Sequence, residues 1–231
     1  MTTTPRRPLL AALLVPVLVG AAACGSSDGE SSPTTDAEEA AGTDAGSAAD
    51  CPPEEGTAER TTTFDAPPPM CIDTDATYLA EVATSAGDFT ITLDASEAPE
   101  TVNNFVFLAR NHFYDGVPFH RIIPGFVIQG GDANGNPAGT GDPGYEFADE
   151  LPDSAEAYVP GSVAMANSGP DTNGSQFFIV LASGNLDPYY SLFGEVTEGF
   201  DTTIQDIAAT GTPSGTPTEE TVIETVTIVE E

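Results

Sequence analysis

The chain of 231 residues has no lysine, no tryptophan, five arginines, two histidines and three cysteines, against 37 acidic side chains and a formal charge of −32. Each scarcity excludes something. Without lysine, no surface could neutralise a row of phosphates, so nucleic acid is not an expected partner, and anionic lipid headgroups are disfavoured by the same repulsion. So much like charge keeps a surface solvated and favours a monomer. Adaptation to high salt, where screening removes the repulsion, is a second reading of the same balance. His112 and His120 alone would leave a metal site to carboxylates that stand at no ligand spacing. Cys24, Cys51 and Cys71 are too widely spaced for a CxxC redox pair and too few for a zinc cluster. No metal and no cofactor is expected.

Residues 1–24, "MTTTPRRPLLAALLVPVLVGAAAC", combine a basic start, an apolar run and small residues before a cysteine, the pattern of an export signal. Their end resembles a bacterial lipobox, with Cys24 as the lipidated residue, although Ala21 stands where leucine is usual. An ordinary signal peptide cut at one of the alanines is the alternative, which would give a secreted protein. Pro16 argues against an uncleaved span. Export to an oxidising compartment would leave Cys51 and Cys71 as a candidate disulfide. Residues 25–76 read as an acidic, Pro/Gly/Ser-rich disordered tether. The stretch 25–50 has no aromatic residue and no Val, Ile, Leu or Met, so burial cannot offset its ordering entropy. At about 5–6 Å × √n, a tether of that length holds its cargo on the order of 28 Å from an anchor. The segment 51–76 continues it as a proline-rich spacer pinned by the disulfide.

The texture changes in residues 77–231. "YLAEVATSAGDFTITLD" reads as two short strands around a turn. "SEAPETVNNFVFLARN" switches to a helical period, with Val102, Phe105, Leu108 and Ala109 on one face. Strand-like stretches follow at "PFHRII", "FVIQGG", "GSVAMAN", "QFFIVL" and "LFGEV", then a short helix at "GFDTTIQDIAA" and a last strand at "TVIETVTIV". Many short strands with two helices predict a mainly β barrel or sandwich, with the last strand free to pair with the first.

Several motif-like strings fail on context. "GTGDPG" at 139–144 fits GxGxxG, but no strand runs into it and Pro143 interrupts it. "DANGN" from Asp132 begins like a calcium loop, yet Pro137 stands where glycine is needed. "NGS" at 173 is a weak glycosylation match, and no nucleophile elbow supports a serine triad. What remains is a pair of mixed strands. Val127 and Gln129 share one face by the two-residue period, as do Gln176 and Phe178. Taken singly, the glutamines suit a half-solvated sheet, and Arg121 suits an ion pair with one of many carboxylates.

Together, "FHRIIPGFVIQGGD" and "MANSGPDTNGSQFFI" resemble the two signature segments of the cyclophilins, the peptidyl-prolyl cis–trans isomerases. The resemblance extends through "EAPETVNNFVFLARNHFYDGVPFHRI" and "LDPYYSLFGEV", from about Tyr78 to Glu231. It implies a closed, eight-stranded antiparallel β-barrel capped by two α-helices, with the active face on the outer wall. Proline-containing polypeptides are the implied substrates. Arg121 matches the family's catalytic arginine, and Phe126, Val127, Phe178 and Leu186 match the proline pocket. Gln129 and Gln176 match side chains that orient the arginine and bond near the substrate, and Ala166 and Asn167 match the edge that holds the peptide backbone. Two positions depart. Asn185 stands where many eukaryotic members have tryptophan, implying weak cyclosporin binding, and Tyr190 replaces a pocket histidine. Val127 is smaller than the methionine often found there. A lipid-anchored isomerase for exported proteins is the leading expectation. A proline-peptide-binding chaperone or scaffold with little turnover is its competitor.

Overall fold

The computed structural model describes residues 50–184 and 186–231, so the leader with Cys24, residues 25–49 and Asn185 lie outside the described residues. Alternation of buried and open side chains makes Tyr78–Thr84 (β1) and Gly87–Leu93 (β2) a hairpin, with Ala80, Val82, Phe89 and Ile91 turned inward. Helix α1 spans Pro99–Arg110. Short strands follow at Val117–Pro118 (β3), Arg121–Ile123 (β4) and Val127–Gly130 (β5). Next come Ser162–Met165 (β6), Phe177–Val180 (β7) and Leu192–Glu198 (β8). A π-helical turn at Phe200–Ile204 leads into α2, Gln205–Ala209, before β9, Val222–Glu230.

These nine strands form one antiparallel sheet in the order β3-β9-β1-β2-β8-β6-β7-β5-β4. The last strand does pair with the first, Val82 opposite Val226. The expected closed eight-stranded barrel is corrected on two points: the described residues form nine strands, and the sheet is an open, curled half-barrel. Its two edge strands are neighbours in the chain, but no ladder joins them. Phe119 N–H bonds Thr221 C=O on the β9 side (2.9 Å), whereas Ile122 N–H turns to Gly215 C=O (2.8 Å). The loop before β9 thus takes the edge that closure would have used.

Inside the curl, Phe105 of α1 meets the rings of Tyr114, Phe177 and Phe193 at 5.0, 5.6 and 5.4 Å between centroids. Helix α1 is buried from Thr101 to Arg110, where the sequence predicted one apolar face. Its other face is covered by residues 51–71. Phe64 lies edge-on to Phe107 at 4.9 Å, and Asn103 both donates to Pro69 C=O and accepts from Cys71 N–H. The N-terminus of α1 has no local side-chain cap. Its first N–H groups are met by the distant Glu150 carboxylate, which accepts from Glu100 N–H and Thr101 N–H.

The expected tether therefore ends earlier than residue 76. The described part, from Asp50 on, is laid against α1 and the loop after β5, and Cys51 and Cys71 form a disulfide. Prolines give this stretch little entropy to lose, and the cross-link removes more from the unfolded chain, about 3 kcal/mol for a loop of this size. Phe64 and Cys71 anchor it on the core, and hydrogen bonds to α1 and the residues after it hold the rest.

Candidate active site

The central strands carry two faces with different fates. By register, Ile122, Ile128, Ile179 and Val163 stand opposite one another across β4, β5, β7 and β6, and all four are fully buried in the main core. One residue on, Arg121, Gln129, Phe178 and Ala164 form the matching row on the outer face. A period of two thus puts aliphatic side chains inside and a mixed polar and apolar set outside.

On that outer face Val127, Tyr158, Ala164, Phe178 and Val180 form a second apolar cluster, separate from the core, against which Phe126, Ala166, Leu186 and Tyr190 pack. All the sequence-predicted pocket residues therefore come together. Tyr190 sets its ring edge-on to Phe178 at 5.2 Å. Tyr158, missed by the sequence reading, is the buried floor: its hydroxyl donates to Tyr190 C=O (2.7 Å) and accepts from Tyr190 N–H (3.2 Å). Its position in a polar loop gave no periodic signal.

Beside this cluster runs a chain of directed hydrogen bonds. Arg121 Nη1 donates to Gln129 Oε1 (3.2 Å), Gln129 Nε2 to Gln176 Oε1 (3.1 Å), and Gln176 Nε2 to Gly141 C=O (2.9 Å). Gly141 lies in the glycine-rich string that motif logic set aside. Its carbonyl ends the chain that starts at the arginine. The calcium-like start "DANGN" is likewise structural, since Asp132 accepts from Asn134, Gly135 and Gly139 N–H groups. A cleft of about 220 Å³ opens beside the glutamines, lined by Gly141, Ala166, Asn167 and Thr172 among others.

The three arginines outside the leader have distinct settings. Arg110 is buried and faces Glu230 at 3.8 Å. Arg60 donates to the carbonyls of His112 and Phe113. Arg121 enters no ion pair among the described residues, despite the acidity of the chain. Its guanidinium carbon lies 5.7 Å from the centre of the Phe126 ring, and Gly215 walls its stem. At φ +89°, with a Cβ that would come within 3.1 Å of Arg121 Cγ, Gly215 leaves room only for backbone. The charge is thus held in place by neutral amides and an aromatic face, without being neutralised. Gly131, just past β5, has φ +84°, and a Cβ there would lie 2.5 Å from Ser175 C=O, so side-chain-free backbone sets the spacing of the two glutamine strands.

Asn167 lies just beyond β6. Its side chain donates to Tyr189 C=O (2.8 Å), and Ala166 N–H bonds Gln176 C=O (2.8 Å). The departure at Asn185 lies outside the described residues.

His120, next to the arginine, has both ring nitrogens buried without a hydrogen-bond partner. Burial lowers its pKa; the Asp132 carboxylate works against this and the Arg121 guanidinium with it. A neutral imidazole keeps a second cation from forming beside Arg121. Since the unfolded chain takes the proton first, the stability from this group is complete above the ordinary histidine pKa of about 6.5. It is lost as pH falls through that value towards the lower folded one. We expect the urea midpoint of the wild type to drop between about pH 7.5 and about pH 5.5 by more than that of His120→Leu. Equal drops in the two proteins would show that His120 titrates as an ordinary surface histidine.

An apolar pocket on a sheet's outer face, flanked by a guanidinium in no ion pair among the described residues, is an arrangement that fits a peptide-binding isomerase of the cyclophilin type. Residues 79–229 match the family of cyclophilin type peptidyl-prolyl cis-trans isomerase/CLD, and the chain belongs to it. The chain is 42% identical over 171 residues to peptidyl-prolyl cis-trans isomerase A of Mycobacterium tuberculosis, covering 66% of this chain and 93% of that protein. It is 44% identical over 168 residues to peptidyl-prolyl cis-trans isomerase B of Streptomyces anulatus, covering 64% of this chain and 95% of that protein. The crystal structure of a Cryptosporidium parvum cyclophilin type isomerase matches with TM-score 0.61 and 32% identity, over 67% of this chain and 99% of that one. A structure of the same protein in the presence of the dipeptide Ala-Pro matches with TM-score 0.60, over 66% of this chain and 99% of that one. The chain is a peptidyl-prolyl cis-trans isomerase.

Proposed function

We propose that this isomerase works by stabilising the twisted amide through Arg121, on exported polypeptides. The planar Xaa–Pro bond resists rotation because resonance gives it double-bond character, with a barrier of roughly 18–20 kcal/mol. At the twisted transition state the proline nitrogen pyramidalises and regains a lone pair. A guanidinium aimed at that nitrogen bonds the twisted form better than either planar form, and differential binding of this kind lowers the barrier. The observation that carries this reading is the unpaired state of Arg121: no described carboxylate takes its charge, and Gln129 fixes its direction.

Substrate binding follows from the same face. The proline ring seats on Phe126, Val127, Phe178 and Leu186, with Tyr190 at the rim. The peptide backbone lies along Ala166 and Asn167 as an added strand. What supports this is that Asn167 backbone groups enter no backbone–backbone hydrogen bond among the described residues. Gln176 then serves twice, orienting Gln129 and facing the peptide. No nucleophile and no proton transfer is part of this mechanism. The direct test compares cis-to-trans isomerisation of an Ala–Pro peptide by wild type and Arg121→Ala, at low and at molar salt.

Export and anchoring rest on the leader and on the cysteines. The Cys51–Cys71 disulfide suits an oxidising compartment. Among the described residues no helix is long and apolar enough to cross a membrane, and the proposed attachment is through lipid on Cys24. The domain acts as a monomer. In a bacterial host, Cys24→Ala should leave the protein unlabelled by a tagged fatty acid and move it from the membrane fraction to the medium. Unchanged fractionation would replace the lipid anchor by another mode of retention.

A further inference from the structure

We propose that the disulfide-closed strap, residues 51–71, is a positioning element for Arg121, a role that rests on the arginine mechanism proposed above. The strap is tied down at three places. Thr57 N–H and Thr61 N–H bond the carbonyls of Arg110 and Asn111 at the end of α1 (2.8 and 2.9 Å), and the Arg60 guanidinium adds its two carbonyl contacts there. Asn103, midway along α1, grips Pro69 and Cys71. Between these anchors the strap crosses the loop after β5. Phe64 N–H bonds Pro143 C=O (2.8 Å), and Asn134 Nδ2 donates both to Thr62 C=O and to Asp142 C=O (2.9 Å).

That loop is where the arginine's hydrogen-bond chain ends. Gly141 C=O, one residue before Asp142, receives Gln176 Nε2; Gln176 orients Gln129, and Gln129 orients Arg121. A continuous set of contacts therefore runs from the disulfide, through Thr62 and Phe64, to the guanidinium. Between its buried ends at Asp132 and Pro143, glycines 135, 139 and 141 and the exposed residues 136–140 give the loop little apolar anchoring of its own. The strap supplies an outer wall: a Cβ on Gly144 would lie 2.2 Å from Phe64 C=O, so loop and strap are in backbone contact. Loss of the strap would leave the pocket cluster intact, because the strap's Phe64 and Cys71 pack on the main core and not on that cluster. The effect should fall on turnover more than on peptide binding.

The experiment uses the full chain with a strap variant, Cys51→Ser/Cys71→Ser, and a loop variant, Asn134→Ala, which removes the side-chain bonds to Thr62 and Asp142 and leaves the Phe64–Pro143 bond. Catalysis of an Ala–Pro peptide is read by NMR exchange spectroscopy, binding by titration, and loop 132–144 by amide hydrogen exchange. Faster exchange in that loop is expected, with kcat lower on the order of tenfold and peptide Kd nearly unchanged. In an Arg121→Ala background the same changes should cost no further activity, because the strap acts through that side chain. The proposal is overturned if the loop's exchange is unchanged, if kcat stays within about twofold of wild type while the loop loosens, or if the loss persists in the Arg121→Ala background. Should the double cysteine variant not fold, Asn134→Ala decides alone. A fully active Arg121→Ala protein would instead sink the arginine mechanism, a result distinguishable from each of these.

Discussion

Replacing Arg121 by alanine should lower kcat/KM on an Ala–Pro peptide by roughly 10²–10³, the loss seen when one preorganised transition-state donor is removed. That is about 2.7–4 kcal/mol of differential binding. Ground-state affinity should change far less, because in the proposed mode the proline ring rests on Phe126, Val127, Phe178 and Leu186, whose cluster the substitution leaves in place. The fold should survive. Arg121 makes one side-chain hydrogen bond and one ring contact and closes no ion pair among the described residues, so its loss belongs with modest surface changes. Thermal unfolding and kinetics measured together separate the two effects. Arg121→Lys should not restore the rate, since a lysine cannot donate to Gln129 and aim a planar cation at the substrate nitrogen together. Retention of activity within about threefold in the alanine variant would move the burden of catalysis to the strand edge and pocket.

Phe105→Ala is expected to have the largest effect on stability, about 3–5 kcal/mol. Phe105 is fully buried and its ring touches three others, Tyr114, Phe177 and Phe193, which come from the segment after α1, from β7 and from β8. It is where the helix meets the concave side of the sheet. Rings anchored on separate strands cannot collapse into the void, so both transfer and cavity costs apply. For a domain of this size each kcal/mol moves Tm by roughly 2–4 °C, so a drop on the order of 10 °C is expected by calorimetry in molar salt. High salt matters, because the repulsion of so many carboxylates would otherwise be convolved with the cavity. A drop under about 3 °C would mean that the core can repack around the loss.

Much of this architecture could be read from the chain. Strands with alternating burial, such as β1 and β2, and the helical period of Val102, Phe105, Leu108 and Ala109 reflect local geometry, and they appeared where the pattern put them. The outer-face row was also legible, because Val127 with Gln129 and Gln176 with Phe178 follow the two-residue period. Other features had no local signal. The burial of Asn103 and Asn104 depends on partners far along the chain, Pro69 and Cys71 for one and Gly174 and Tyr145 for the other. The carboxylate over the helix N-terminus comes from Glu150, fifty residues from Glu100. Residues 51–71 look like a spacer because their prolines and acids predict no regular element, and they form none. They are ordered by backbone bonds to another segment, which composition cannot express.

The sheet shows the same division. The alternation within strands is a property of short stretches, whereas the split of "PFHRII" into β3 and β4, and with it closure, is decided at one seam. There the loop carrying Gly215 competes for Ile122 N–H and leaves the half-barrel open. The site divides likewise. Strand phase marked Val127 with Gln129 and Gln176 with Phe178, while Arg121, Ala166, Asn167, Leu186 and Tyr190 were marked by the family resemblance. Tertiary structure decided that Arg121 meets no carboxylate among the described residues, that Tyr158 lies beneath Tyr190, and that Gly141 ends the arginine's hydrogen-bond chain. Each of those depends on the distance between segments that meet only when the sheet curls.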